Sequence, residues 1–282
     1  MANFITPDAP KAWAPDVQGL PAAQVIPESL VVLCTHKAAT IEGDAPYARI
    51  PKIDLSGEVE AVREGDPIPE SEDVRSEVTV HTAKIGVLVK ASRESLLQPD
   101  ASQTITDEMR RAITYRSDVM FLAQPAPVAP ETWPPAGLLA LGQAAGDITD
   151  NLDAAIDAVA LIENTPGGGA THIIANPLSY AYLRKFKTAT DSEVNLLGAG
   201  TTAGPRTLLD LPVITRAAVP EDVIVIIDSR QVLAAYNEVL VARDDSYFFN
   251  SDSVALRGTF RWGVSLNHPD AVQVLTVPDI TP

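Results

Sequence analysis

The stretch Val254–Leu266 alternates without a break. Val254, Leu256, Gly258, Phe260, Trp262, Val264 and Leu266 fall on one side, and Ala255, Arg257, Thr259, Arg261, Gly263 and Ser265 on the other. Side chains of a strand point alternately to the two faces of its sheet. This strand is much longer than the common length of about five or six residues. It needs a broad sheet and something apolar laid across one face. Residues 100–123 supply that cover. Ile105, Met109, Ala112, Ile113, Met120 and Ala123 recur at helical spacing along one stripe. Pro99 and Asp100 suit a helix start, and Asp107 and Glu108 place acid near its N-terminal end. The run Pro125-Ala126-Pro127-Val128-Ala129-Pro130 stops the helix. The long strand is expected under this helix, so the chain leaves a first domain, builds a second and returns.

Upstream, Tyr47-Ala48-Arg49-Ile50 and Val78-Thr79-Val80-His81-Thr82 alternate as the two sides of a long hairpin. Between them, residues 56–77 hold eight acids (Glu58, Glu60, Glu64, Asp66, Glu70, Glu72, Asp73, Glu77) and two bases (Arg63, Arg75). Such a ribbon has too little apolar surface to build its own core, and an isolated two-stranded ribbon is marginal in water. It calls for a partner surface. Residues 1–46 read as an arm. Prolines at 7, 10, 15, 21, 27 and 46 interrupt it, while Phe4, Ile5, Trp13, Val17, Leu20, Val25 and Ile26 need burial. The arm therefore lies on a larger surface, of the same chain or of a neighbour. Cys34, next to Val31, Val32 and Leu33, reads as an inert thiol in a half-buried strand.

After the Pro- and Ala-rich crossover at 125–145, helix and strand alternate through residues 149–235. Leu152, Ile156 and Val159 mark a helix stripe. Thr171–Ala175 is a buried strand, and Asn176-Pro177 caps and opens a helix whose inward residues are expected to be Leu178, Ala181 and Tyr182. Residues 188–206 form a Gly/Thr-rich loop, and Leu211–Ile214 and Val223–Ile227 are further strands.

Catalytic signatures are missing. His36, His81, His172 and His268 are dispersed, with no metal-ligand spacing, and no Gly-x-Ser-x-Gly elbow occurs. Gly167-Gly168-Gly169 lacks a following Lys-Ser/Thr and precedes a strand, so it reads as a turn rather than a phosphate cradle. Thirty-seven acids against 21 bases give a net charge of −16, and no basic cluster exceeds a pair, which excludes tight binding to nucleic acid through phosphates. No apolar run reaches the length of a membrane-spanning helix, about 20 residues. Met1-Ala2-Asn3-Phe4 does not resemble a secretion signal, so synthesis inside a cell is expected.

The ordered set of parts resembles the major capsid protein family of tailed phages, with the Hong Kong 97 phage fold. Arg63–Glu70 resembles that family's extended loop, and Lys84–Leu97 its strand leading to the spine helix. Ile173-Ile174-Ala175-Asn176-Pro177-Leu178-Ser179-Tyr180 resembles the strand-to-helix step of its axial domain. Leu211-Pro212-Val213 is similar to a Leu-x-Gly-x-Pro-Val element, here without the Gly. Tyr247–Asn250, Val254–Arg261 and His268–Ala271 resemble the closing strands of the peripheral domain. The resemblance implies an α+β fold with an N-terminal arm at 1–46 and an extended β-hairpin loop at 47–84. It implies a peripheral domain at 85–129 with a spine helix at about 100–123, an axial domain at 130–235 and closing peripheral strands at 236–282.

It further implies a non-enzymatic subunit that needs no cofactor and no metal. The subunit forms pentamers and hexamers of an icosahedral head around double-stranded DNA, is made in the host cytoplasm and resides in the virion. Implied contacts between subunits fall on Trp13, Lys52, Glu58, Glu60, Arg63, Glu64, Glu70, Asp73, Arg75, Arg93, Arg110, Arg111, Arg243, Asp244 and Asp245. A portal and a separate scaffolding protein are implied partners; the resemblance also allows for no scaffold, and for a decoration protein. Some relatives crosslink a loop Lys to an Asn with help from a Glu. Lys52 and Asn250 are conceivable partners, but Thr259 stands where the Glu is expected, so no crosslink is expected. Other readings stay open: an encapsulin-like nanocompartment shell around a cargo enzyme, a motif-free hydrolase of unrelated α+β fold, and a tail or decoration module.

Overall fold

A computed structural model describes residues 17–20, 22–53, 61–63, 75–96, 101–187, 192, 194–197 and 206–278. In chain order the strands are β1 (Val17–Leu20), β2 (His36–Ala39), β3 (Tyr47–Ile53), β4 (Arg75–His81), β5 (Ala83–Ser92), β6 (Gln143–Asp147), β7 (His172–Ala175), β8 (Thr207–Leu208), β9 (Leu211–Thr215), β10 (Val223–Ile227), β11 (Val232–Tyr236), β12 (Val239–Phe248), β13 (Ser253–Leu266) and β14 (Val272–Thr276). The helices are α1 (Ala22–Val25), α2 (Leu30–Leu33), α3 (Arg93–Leu96), α4 (Ala101–Ala123), α5 (Leu138–Leu141), α6 (Asp153–Glu163) and α7 (Pro177–Leu183).

The length of β13 has a structural reason. Along one edge it pairs with β5 from Ser253↔Ser92 to Trp262↔Ala83. Its other edge is shared end to end by β12, which covers Ser253 to Thr259, and β11, which covers Trp262 to Leu266. β1 extends the sheet beyond β12, and β2 runs parallel to β11. The apolar face of β13 meets α4. At Gly258 a Cβ would sit 3.0 Å from Ile113 Cδ1 and 3.2 Å from Met109 Cε, so the missing side chain lets the helix sit close. Further along, Phe121 and Trp262 stack edge to face, with centroids 6.1 Å apart and both rings buried.

A second sheet runs in the order β6-β14-β10-β7-β9-β8. Its central strands β7 and β10 are apolar on both faces and almost fully buried. The main core joins both sheets: Phe121, Leu122, Phe260 and Trp262 share one buried cluster with Ile174, Val225, Ile227 and Val272. On the far side of the second sheet, α6 packs Ala155, Ala158 and Ile162 into a separate cluster.

Several expectations are corrected. Leu30–Leu33 is helical, and Cys34 follows it fully buried. A four-residue apolar run carries no period, and tertiary hydrogen bonds to Ser29 and Leu30 decide its shape. Of the two surfaces open to the N-terminal segment, residues 22–46 take the chain's own. Ala22, Ile26, Leu30 and Val31 lie in the chain's own core, and β2 is a strand of its first sheet. On α6 the inward stripe is Ala155, Ala158 and Ile162; Ile156 is exposed, because the small alanines allow the closer approach to the sheet. On α7 the buried residues are Ser179 and Leu183, whereas Leu178 and Ala181 are exposed. Polar ties rotate this helix: Asn176 Oδ1 accepts from Leu178 N–H, Asn176 Nδ2 donates to Val219 O, and Ser179 Oγ donates to Glu221 O. Finally, the chain crosses between the sheets more often than expected. Val232–Tyr236 belongs with β13, and Val272–Thr276 lies between β6 and β10.

Two features tie the parts together. The first is the seat of the hairpin β3–β4. Ile50 and Val80 pack on Leu233 and Ala235 of β11, and the β4 backbone crosses β13 where Gly263 has no side chain. Arg261 Nη1 donates to Thr82 Oγ1 at 3.0 Å and to Ala45 O at 3.3 Å. The second is Asp118, 2% exposed in the middle of α4. Its Oδ1 accepts from Leu30 N–H at 2.7 Å and from Ser29 Oγ at 2.9 Å, and Ser29 Oγ also lies 3.0 Å from Ser117 Oγ. Burial pushes the Asp118 carboxyl up to about 6 from its usual 3.8, while Leu30 N–H, Ser29 and Arg216 pull it back down. Burial also pushes the Cys34 thiol up to about 12, in keeping with an inert packed thiol.

Two outcomes follow. A Cβ at position 263 collides with the His81 carbonyl, so Gly263→Ala should cost at least about 2 kcal/mol by overpacking, read by chemical denaturation. It should also raise hydrogen exchange at Val78–His81. For Asp118 the folded pKa is raised, so the linked stability is complete below about 3.8 and is lost as pH rises through about 6. The stability difference between wild type and Asp118→Asn, whose amide oxygen keeps both donors, should therefore fall by up to about 3 kcal/mol between pH 4 and 7.5. A difference independent of pH would refute that account of the carboxylate.

Candidate intersubunit surfaces

The sheet built on β13 has one face covered by α4 and one facing outward. The register places Lys84, Gly86, Leu88 and Lys90 of β5 on the same side as Arg261, Thr259, Arg257 and Ala255 of β13, with Leu240 and Ala242 of β12 beside them. This side is basic on a chain of net charge −16. Leu88, 54% exposed, and Leu240 give it an apolar middle. Asp44 neutralises one end, lying 3.5 Å from Lys84 Nζ and 3.3 Å from Arg261 Nη2. Lys90 stands over the Phe248 ring at 5.1 Å. Arg257 is exposed and has no ion pair among the described residues. Thr259, at the position expected to hold an acid in crosslinking relatives, pairs with Gly86 in the same sheet.

The tip of the β12–β13 hairpin is a second surface. Arg243 Nε and Nη2 grip both carboxylate oxygens of Asp245 at 2.8 and 3.3 Å. Arg93 Nε lies 2.8 Å from Asp252 Oδ1, and Arg93 Nη2 donates to Asp245 O at 3.3 Å. Asp244 Oδ1 accepts from Ser246 Oγ, Ser246 N–H and Tyr247 N–H, which holds its carboxyl below the usual range. The Arg243 guanidinium does the same for Asp245. These bonds brace a turn that presents Tyr247 and Phe249, the latter 87% exposed. Asn250 stands in the same turn.

Other predicted contact residues are placed as follows. Lys52 Nζ donates to Asn267 O at 2.8 Å, which ties the hairpin to its own chain. Arg63 is exposed. Arg75 lies in β4, with its side chain outside the described residues. Trp13, Glu58, Glu60, Glu64, Glu70 and Asp73 also lie outside them. Arg110 pairs with Asp107 at 3.4 Å and Arg111 with Glu108 at 2.8 Å along α4, both exposed. A cavity of about 660 Å³ opens beside them, between α1, α4 and the segment before β10. Val25, Ile26, Tyr115 and Ala217 line it, with Arg216 and Asp118.

The structure thus brings Arg93, Arg243, Asp244 and Asp245 into one cluster and keeps Arg110 and Arg111 apart from it. Sequence reasoning missed Leu88, Lys90, Arg257, Phe249 and Asp118. For the first three a signal existed, since they sit at the outward positions of alternating strands. For Asp118 there was none, because its partners lie far upstream in the chain.

The profile of the phage capsid family matches residues 24–277. Among curated proteins nothing matches. Solved structures similar to this chain include that of Gordonia phage Cozz, 16% identical with a TM-score of 0.66 over 89% of this chain and 87% of that one. Mycobacterium phage Adephagia matches at 16% identity and a TM-score of 0.66, covering 100% of both chains. The capsid of a native GTA particle matches at 15% identity and a TM-score of 0.65 over 86% and 88%. Two sheets joined through one core, a helix spanning the longest strand and a family profile over nearly the whole chain lead to one assignment: the chain belongs to the phage capsid family and is a capsid shell protein.

Proposed function

We propose that this subunit closes the head of a tailed double-stranded DNA phage by laying the acidic hairpin of each copy on the basic outer sheet face of the next. One observation carries the reading. Residues 56–77, which follow β3 and run into β4, hold eight acids against two bases, and the outward side of β5 and β13 carries Lys84, Lys90, Arg257 and Arg261. Arg49 meets Glu77 and Asp44 meets Lys84 and Arg261, while Lys90 and Arg257 have no ion pair among the described residues. Complementary rims of this kind set register and speed encounter more than they add affinity. Many modest contacts related by symmetry then close a shell whose stability exceeds that of any one of them.

In this reading β5, α4, β12 and β13 form the peripheral domain, and the second sheet with α6 and α7 forms the axial domain at the five- and six-fold centres. The subunit has no catalytic role. It is made in the host cytoplasm, assembles with a portal and a separate scaffolding protein, and encloses DNA without reading its sequence. The acidic balance suits a container that does not adhere to its contents.

Charge reversal tests this. Lys90→Glu with Arg257→Glu should leave the fold intact by circular dichroism but cut particle yield in electron micrographs at least tenfold. Adding Glu58→Lys, Glu60→Lys and Glu64→Lys should restore particles. Normal assembly of the first variant, or no rescue by the second, would overturn the pairing.

A further inference from the structure

We propose that the loop at 125–135 is a knob that seats in the cavity beside α4 of a second copy, with Trp133 at its centre. This rests on the shell reading. The knob is rigid. Pro125, Pro127, Pro130, Pro134 and Pro135 each fix a backbone φ angle in it. Gly137 N–H donates to Gln124 O at 2.8 Å and closes its base, and Glu131 N–H donates to Val128 O at 3.0 Å farther out. A Cβ at Gly137 would stand 2.6 Å from Leu122 O, so the returning chain presses against the last turn of α4. Pro135 and Leu138 are buried there. Between these anchors Val128 and Trp133 stand 83% and 65% exposed. A braced loop loses little freedom on docking, and tryptophan is enriched among the side chains that anchor interfaces.

The other half of the contact is on the same chain. The cavity of about 660 Å³ has an apolar wall of Val25, Ile26, Tyr115 and Ala217. Its charges balance, Arg110, Arg111 and Arg216 against Glu28, Asp107 and Asp118. An added ion would leave one of them unmatched, whereas a neutral ring would not. Glu28 and Asp107 offer acceptors to an indole N–H. Trp133 does not line the cavity of its own chain. The loop leaves α4 at its C-terminal end, Ala123, while the cavity flanks Asp107–Asp118, about 15 Å back along the helix. A knob and a hole at separate places on one chain serve head-to-tail contacts, the kind that closes rings of subunits. Area also points to a second copy. One seated tryptophan buries about 150–250 Å², far below the roughly 1,000 Å² of a stable pair. Such a contact holds only where many copies repeat it, as they do in a shell.

The test replaces Trp133 in the full chain by the photoprobe p-benzoylphenylalanine. These copies are mixed with isotopically heavy, unmodified copies before assembly, and the particles are irradiated. Crosslinks should join residue 133 to heavy peptides covering 24–28, 107–118 or 216–218. Crosslinks confined to one copy, or to other peptides, would overturn the docking. A double-mutant cycle reads the same contact without the probe. Trp133→Ala and Tyr115→Arg each change an exposed side chain, so both should leave the circular dichroism unchanged. Each should raise the protein concentration needed for particles about tenfold. The double variant should be no worse than either single one. Losses that multiply, or an unchanged threshold in either single variant, overturn the proposal. Micrographs of wild-type protein separate the two ideas: an absence of particles sinks the shell reading, whereas particles with misplaced crosslinks sink only the docking.

Discussion

The contact between α4 and β13 organises the molecule. Gly258 brings the helix close, Phe121 and Trp262 lock its C-terminal half, and both sheets share the core that results. A fully buried aromatic side chain contributes roughly 1.5–3 kcal/mol through area alone, so this seam outweighs any surface ion pair, whose usual contribution is about 0–1 kcal/mol. The braced tip at Arg93, Arg243 and Asp245 is therefore better understood as geometry than as stability. It orients exposed aromatic rings, and those rings gain energy only when another surface covers them.

Asp118 works against the local energetics. Its neighbours at the pocket are apolar or paired, yet it stays as the joint where the N-terminal segment meets the spine of the fold. Replacing such a group by an isosteric neutral amide relieves the burial of charge and keeps the hydrogen bonds.

Much of this was legible in the sequence. The alternation of Val254–Leu266, the stripe of α4 and the Asn176-Pro177 start are local patterns, and they appear as expected except that Ala112 of the stripe is exposed. Pairing was less legible. That Val232–Tyr236 joins one sheet and Val272–Thr276 the other depends on which apolar run meets which, and each is a short run without distinctive chemistry. Helix faces on α6 and α7 were misjudged because alanine and serine, not the larger apolar residues, take the tight positions. For the contact surfaces, charge composition located the ribbon, while the basic face emerged only once register put Lys90 and Arg257 on one side.

The return of β14 to a place between β6 and β10 has a consequence for timing. Gln143 cannot find Gln273 until the ribosome has also made β7 to β13 and β14 itself. Long-range pairing of this kind slows folding, and a partly synthesised chain has an open seam in its second layer. A nascent subunit without β14 thus lacks the strand through which β6 joins the rest of that layer.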